Sequence, residues 1–499
     1  MGKNMVHIRI LLFLVFIALC CHAISDDANN MGEHIQALMG YLADNDMFNG
    51  AVLVANKGEI LYQKAFGFAN LENKEKLKLH SVFCIGSVAK QFTAMAIMIL
   101  KERKQLAYED KLAQFFPQIE NSEMITLRQL LTHTSGLKRG IDFPELKVNG
   151  GWRDGITNQD VFDGMTKHKV FDFMPGEKYS YSNYGYILLA MVVEKVSGLS
   201  FPEFMKRFVF DPLKMKNSFA IDKNASQATP RAIGYDIFNE KNDFNIFTNG
   251  PGGIFSTVED LFRWDQGLYT EKLVSQETLN DAFASGLLNN GKPSRTLSDS
   301  TWGYGFGWLL RKNDSENIVW HDGGFNGFSA VFYRELNKKI CIVILCNKGQ
   351  MGANAPVYAV HEALLKILKG ESCELPKIPI LIKMHDMIEK KGLKKSLATY
   401  HALKNKKANN YDFSVNQLNN LGYFYLGKKN FVDAIAIFKL NTEIYPANAN
   451  TFDSLGEAYM KNGQDDLAII NYEKSLVLNP KNKNAEDMLK KLHGLSANE

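Results

Sequence analysis

Little charge is left over in this chain of 499 residues, where 58 basic and 54 acidic side chains leave a formal +4. So small an excess excludes the broad positive field of a nucleic-acid-binding protein. Proline (13) and glycine (38) are too few for collagen-like or low-complexity chain, and 45% hydrophobic residues exclude bulk disorder. Cysteine is scarce as well. Two of the six fall in the first apolar segment, and Cys84, Cys341, Cys346 and Cys373 show no metal-ligand spacing, so a zinc centre has no support. Cys341 and Cys346 lie five apart in an apolar run, which on a strand puts them on opposite faces as buried hydrophobes.

Long hydrophobic runs are missing with one exception. Lys3 and Arg9 precede the run 10–19, which is followed by Cys20-Cys21-His22-Ala23. Spanning a bilayer takes about 20 apolar residues. The shorter run fits a signal peptide over residues 1–23, cleaved after Ala23, and hence an exported protein, periplasmic or secreted. An uncleaved anchor or a buried helix is the alternative. Cys20 or Cys21 is placed for lipid attachment, although Leu19 is large for the residue before such a cysteine. No later stretch reaches membrane-spanning length without charges, so no transmembrane segment is expected after cleavage.

Arginine is absent from residues 381–499, which hold 17 lysines and 13 acids, while the first 380 residues balance at 41 basic and 41 acidic. The whole net charge therefore sits in the last quarter, which reads as a separate module with a solvated helical surface. At about 100–200 residues per domain, the length allows two or three. The expected layout is a signal peptide at 1–23, a larger domain at 24–370, a linker at 371–383 around Pro376 and Pro379, and a helical module at 384–495.

Within 24–370, Gly50–Ala55 and Glu59–Tyr62 flank Asn56-Lys57-Gly58, a hairpin signal. A second hairpin joins Phe328–Tyr333 to Ile340–Leu345. Strands near both ends with helical material between predict an α+β fold: one antiparallel sheet flanked by helices, with a helical subdomain. Apolar residues at helical spacing predict helices after Ser87 (Phe92, Met95, Ala96, Ile99, Leu100) and after Asn183 (Ile187, Leu188, Met191, Val192, Val196), the latter ended by Gly198. A last amphipathic helix is expected over Pro356–Lys369.

The C-terminal module matches itself at an offset of 34: Leu421/Leu455, Gly422/Gly456, Tyr425/Tyr459, Ala434/Ala468, Phe438/Tyr472 and Pro446/Pro480. This resembles the tetratricopeptide repeat, in which two helices pack through a small residue and a proline ends the unit. Residues 384–405 read as a degenerate preceding helix pair and 484–493 as a capping helix. The resemblance implies an all-α module, either a groove for a partner protein or peptide or a spacer.

Three short stretches carry chemistry. In Ser87-Val88-Ala89-Lys90, a serine and a lysine three apart at a helix start share a face, and burial would lower the lysine pKa enough for a neutral amine to take the serine proton. In Tyr181-Ser182-Asn183, a nearby Lys90 cation would pull the phenol pKa down toward phenolate, and Asn183 can hold both a substrate amide and the lysine. In His321-Asp322-Gly323-Gly324, Gly323 and Gly324 let a substrate backbone approach and offer N–H groups to an oxyanion, with His321 bonding Tyr181 or a substrate carboxylate.

In this order the three stretches resemble the serine β-lactamase and penicillin-binding protein superfamily, and more closely its class C-like branch of β-lactamases, D-alanyl-D-alanine carboxypeptidases, D-aminopeptidases and family VIII esterases. The stretches 130–137, 175–177 and 252–257, Asp260 and the stretch 304–308 agree with that branch. The resemblance implies catalytic roles for Ser87, Lys90 and Tyr181, substrate-binding roles for Asn183, His321, Gly323 and Gly324, and no metal or organic cofactor. It implies a structural role for His133, which otherwise tempts a reading as a triad histidine. Class C β-lactamases carry Lys-Thr-Gly where this chain has His321-Asp322-Gly323. A cation is thereby replaced by a mostly neutral imidazole, which moves weight from β-lactam hydrolysis toward a D-amino-acid peptide or small ester. A weak class C-like β-lactamase and a non-catalytic binder of cell-wall peptides are the alternatives. Substrate choice should depend on the loops 138–158 and 289–300.

Overall fold

The computed structural model describes residues 28–494 apart from 141, 149–150, 224–230, 297–300, 350–355 and 407. The expected signal segment with Cys20 and Cys21 lies outside the described residues, as do parts of the two substrate loops. The chain divides into two compact units, Met1–Glu374 and Leu375–Glu499.

The principal elements of the first unit are α1 (Ala28–Asp44), β1 (Gly50–Asn56), β2 (Glu59–Phe66), α2 (Ala89–Glu102), α3 (Asn183–Ser197) and α4 (Val258–Gly267). They are followed by β3 (Gly303–Tyr304), β4 (Leu309–Lys312), β5 (Asn317–Phe325), β6 (Phe328–Glu335), β7 (Ile340–Cys346) and α5 (Pro356–Leu368). Seven strands form one antiparallel sheet in the order β3-β4-β5-β6-β7-β1-β2. The early hairpin and the late one meet within it, β1 beside β7 with Gly50 opposite Cys346. Positive φ at Lys57 (55°) and Gly58 (83°) gives the β1–β2 turn the twist that a two-residue hairpin needs.

Both sheet faces are covered, which is why β1 and β7 read as continuous apolar runs rather than alternating ones. Ala51, Leu53, Phe332, Cys341 and Val343 face a core shared with α2, α3 and α4. Val52, Val54, Val331, Ile342, Ile344 and Cys346 face a second core, built with α1 and α5. Cys341 and Cys346 thus point to opposite faces. Helix α2 is buried almost all round because it runs through the middle of the larger core. Helix α3 stops at Gly198, which takes the left-handed conformation at φ 70°. Among the described residues no helix is long and apolar enough to cross a membrane.

The second unit consists of α6 (Ile380–Lys391), α7 (Leu393–Asn405), α8 (Val415–Gly427), α9 (Phe431–Ile444), α10 (Ala449–Lys461), α11 (Asp465–Leu478) and α12 (Lys483–Leu492). Residues matched by the 34-residue offset occupy equivalent places in two successive helix pairs. A Cβ on Gly422 would lie 2.6 Å from the Phe438 ring and one on Gly456 3.0 Å from the Tyr472 ring, so glycine permits the close approach in both. The expected linker over 371–383 is partly folded. Ile378 pairs with Tyr411 in a two-residue parallel bridge and Pro379 caps the start of α6, so the prolines punctuate the first helix of this unit instead of marking loose chain.

Candidate active site

Ser87 sits in the 3-10 turn Gly86–Val88 that opens α2, one turn ahead of Lys90. Positive φ at Gly86 (52°) bends the chain sharply there, and β5 presses on the bend. A Cβ on Gly86 would lie 2.4 Å from the Gly324 nitrogen, and one on Gly323 would lie 2.9 Å from the Ser87 nitrogen. Only glycine lets these backbones come so close, and the contact sets the Ser87 and Gly324 amides side by side.

Lys90 is wholly buried. Its Nζ stands 3.1 Å from Ser87 Oγ, 3.0 Å from Asn183 Oδ1 and 2.9 Å from the Pro251 carbonyl oxygen. Two of these neighbours are pure acceptors. A neutral amine gives its two hydrogens to them and turns its lone pair to the one neighbour that can donate, the Ser87 hydroxyl. Burial pushes the Lys90 pKa well below its ordinary value, opposed by the Asp322 carboxylate and reinforced by Arg139.

Tyr181 comes to the same place from the loop before α3, with Lys90 Nζ 4.7 Å from its ring centroid. The expected phenolate gives way to a phenol. Packing around the phenol pushes its pKa above the ordinary value, against a lowering hydrogen bond to Ser87. Lys90 disfavours its own charge in the same enclosure, so there is no firm cation to hold a phenolate.

The expected bond from His321 to Tyr181 also gives way to another arrangement, the two rings lying 6.2 Å apart. His321 Nδ1 donates to the Asp322 carbonyl at 2.5 Å, which leaves Nε2 bare to accept the Tyr304 hydroxyl at 2.9 Å. Burial holds the imidazole pKa down at about 4, so it is neutral near pH 7. Neither ring nitrogen remains open for a substrate carboxylate.

The structure thus gathers Ser87, Lys90, Tyr181, Asn183, Gly323 and Gly324 at one point and sets His321 behind them. Sequence reasoning gave no role to the Pro251 carbonyl, to Tyr304, or to the exposed Arg139, whose guanidinium stands 5.4 Å over the Tyr181 ring. The signal for the first two lay in stretches rich in glycine. Gly307, at φ 79°, brings the 304–308 stretch within 2.7 Å of the Lys90 backbone, measured from an added Cβ. Among the described residues no three His, Cys, Asp or Glu side chains gather to hold a metal ion.

The β-lactamase family model matches residues 33–365. Penicillin-binding protein 4* of Bacillus subtilis (strain 168) is 33% identical over 368 residues, covering 70% of this chain and 79% of that protein. The chain belongs to the serine β-lactamase and penicillin-binding protein superfamily. Among solved members of the superfamily, the octameric penicillin-binding protein homologue from Pyrococcus abyssi superposes with a TM-score of 0.59 at 26% identity, over 72% of this chain and 81% of that one. The D-amino acid amidase from Ochrobactrum anthropi SV3, in its complex with D-phenylalanine, has a TM-score of 0.56 at 21% identity, over 69% and 99%. A class C β-lactamase mutant has 0.56 at 19%, over 70% and 99%. These last two share the α+β fold of the superfamily with the first unit.

Proposed function

We propose that this chain is an exported serine hydrolase that works through an acyl-enzyme on Ser87, acting on the amide or ester of a D-amino-acid peptide or on a small ester. The observation that carries the reading is the Lys90 amine, buried and held by two carbonyl oxygens with its third direction on Ser87 Oγ. Lys90 takes the Ser87 proton as Oγ attacks the carbonyl carbon. The Ser87 and Gly324 N–H groups take the oxyanion, a contribution of about 3–4 kcal/mol per donor in such sites. Tyr181, held as a phenol, gives its proton to the leaving group and is reprotonated from Lys90. In the second half-reaction, Tyr181 takes the proton of the attacking water as it passes its own to Lys90, and Lys90 returns a proton to Ser87 Oγ as the bond to the acyl carbon breaks. Asn183 holds Lys90 through Oδ1 and offers its amide hydrogens to the substrate. The D-amino acid amidase neighbour supports an amide substrate, and the neutral His321 disfavours β-lactams that depend on a cation at that place. The second unit is proposed to dock a protein or peptide partner.

Intact-mass measurement after exposure to a fluorophosphonate or a penicillin tests the reading. The expected result is one adduct on the wild type, none on Ser87→Ala, and none on Lys90→Ala with the fold retained. An adduct of equal size on Ser87→Ala would overturn the nucleophile, and retained acylation in Lys90→Ala the base. Turnover of p-nitrophenyl acetate, nitrocefin and a D-Ala-D-Ala peptide ranks the substrate classes.

A further inference from the structure

His133 is fully buried and touches neither Ser87 nor Lys90 through a hydrogen bond, yet it holds the segment that carries both Tyr181 and Asn183. Its carbonyl oxygen accepts the Ser180 N–H at 2.8 Å. Its Nδ1 accepts the Ser182 N–H at 3.1 Å. The two bonds grip the residues on either side of Tyr181. The second also fixes the residue that caps α3, since Ser182 Oγ accepts the Gly185 N–H at 3.3 Å and donates to the Lys138 carbonyl at 2.7 Å. Asn183 is the first residue of that helix.

The bond to Ser182 fixes the chemical form of the ring. A backbone N–H only donates, so Nδ1 is bare and the hydrogen is on Nε2. Nε2 is buried without a hydrogen-bond partner. Instead the ring is surrounded by aromatic faces, with centroids 4.3 Å away for Tyr181, 4.6 Å for Tyr304 and 5.1 Å for Tyr186. An imidazolium would set a second N–H against that of Ser182. The backbone adds a further constraint, because His133 has φ +58°, a left-handed conformation that asparagine, aspartate and histidine tolerate and aromatic or branched residues resist. The position demands a left-handed backbone and an acceptor at the Nδ1 distance together.

We propose that His133 is a positioning residue, whose carbonyl and bare Nδ1 clamp the Ser180–Ser182 backbone so that the Tyr181 phenol and the Asn183 carboxamide stay in register with Ser87 and Lys90. The inference rests on the acyl-transfer reading for its kinetic consequences and on geometry alone for the clamp. Packing would ask only for a ring, whereas the clamp asks for an acceptor. Asparagine keeps an acceptor near the Nδ1 place and the backbone tolerance but loses the ring, while phenylalanine keeps the ring and loses the acceptor and the backbone ease, so recovery in asparagine shows that a ring alone is not what the site needs.

The test compares the full-length chain with His133→Phe and His133→Asn, reading kcat and KM on p-nitrophenyl acetate, the fluorophosphonate labelling rate and the melting temperature. A displacement of about 1 Å at reacting groups costs about 100-fold in rate. His133→Phe is expected to lose about that much in kcat with KM within about threefold, and His133→Asn to recover to within about tenfold of wild type. Unchanged kcat in His133→Phe, or no recovery in a folded His133→Asn, overturns the clamp. Should neither variant fold, imidazole nitrogen-15 shifts of the wild type decide: a bare Nδ1 that does not titrate between about pH 5 and 9 supports the clamp, and a protonated Nδ1 overturns it. That measurement needs no turnover, so an inactive wild type would sink the hydrolase reading and leave the clamp to be judged by its tautomer.

Discussion

A lysine ammonium sealed from water is unfavourable unless an anion faces it, and the only carboxylate that acts on Lys90 among the described residues is Asp322. That side chain is about one-third exposed, accepts a hydrogen bond from the Tyr358 hydroxyl, and lies 3.6 Å from His321 Nδ1. Its charge pulls the Lys90 pKa up while burial pulls it down, and burial is the larger effect. The direction fixes the pH profile. The active form is the neutral amine, so kcat/KM rises with pH as Lys90 loses its proton, at a pH well below the ordinary lysine value. Tyr181 acts as a phenol, and its pKa moves upward, so no fall should appear until above about pH 10. His321, at about 4, is neutral throughout. A profile with one ascending limb and a plateau is expected, and Asp322→Asn should move that limb to lower pH by removing the charge that favours the ammonium. A descending limb near pH 8 would contradict the phenol, and an upward movement in Asp322→Asn would contradict the assignment of the limb to Lys90.

The turn at Ser87 and the strand β5 form a single construction, and its tolerance is small. A methyl group on Gly323 would stand 2.0 Å from the Ile85 carbonyl oxygen, a backbone atom with no rotamer to escape into. Gly323→Ala must therefore push β5 off the turn and draw Gly324 away from Ser87. The expected outcome is a labelling rate at least about 100-fold lower with fluorophosphonate, the low end of what one lost oxyanion donor costs, together with a lower melting temperature. Wild-type labelling in this variant would show that β5 does not set the oxyanion donors. Elements of this kind were legible where local pattern and burial agree: the apolar stripe of α2, Gly198 after α3, and the two hairpins. The serine, lysine, tyrosine and asparagine were legible because each sits at the start of a helix with its partner close in sequence or carried by the family pattern. His321 was legible as a residue and not as a contact. Its partner Tyr304 is 17 residues away on another strand, and strand register, not spacing, decides which ring it meets. The same holds for the Pro251 carbonyl, 161 residues from Lys90.

At the scale of the whole chain, the second unit, with 18 lysines and 13 acids, carries +5, and every residue assigned to chemistry lies in the first unit, where 40 basic and 41 acidic side chains leave −1. Each unit has its own buried side chains, so the two stabilities can be perturbed separately. Gly422 supplies the handle. Its missing side chain leaves room for the Phe438 ring at 2.6 Å from where a Cβ would be, inside the first full helix pair of the second unit. Gly422→Val adds a branched side chain there, and overpacking of this kind costs about 1–3 kcal/mol or more. Calorimetry of the full-length variant should show one transition at lower temperature while a second, belonging to the unit with Ser87, stays in place. The acylation rate at a temperature below both transitions should equal that of wild type. A loss of acylation in step with the melting of the helical unit would mean that the repeats support the active site directly. Unchanged acylation with the transition displaced would show that the chemistry at Ser87 does not need the folded helical unit.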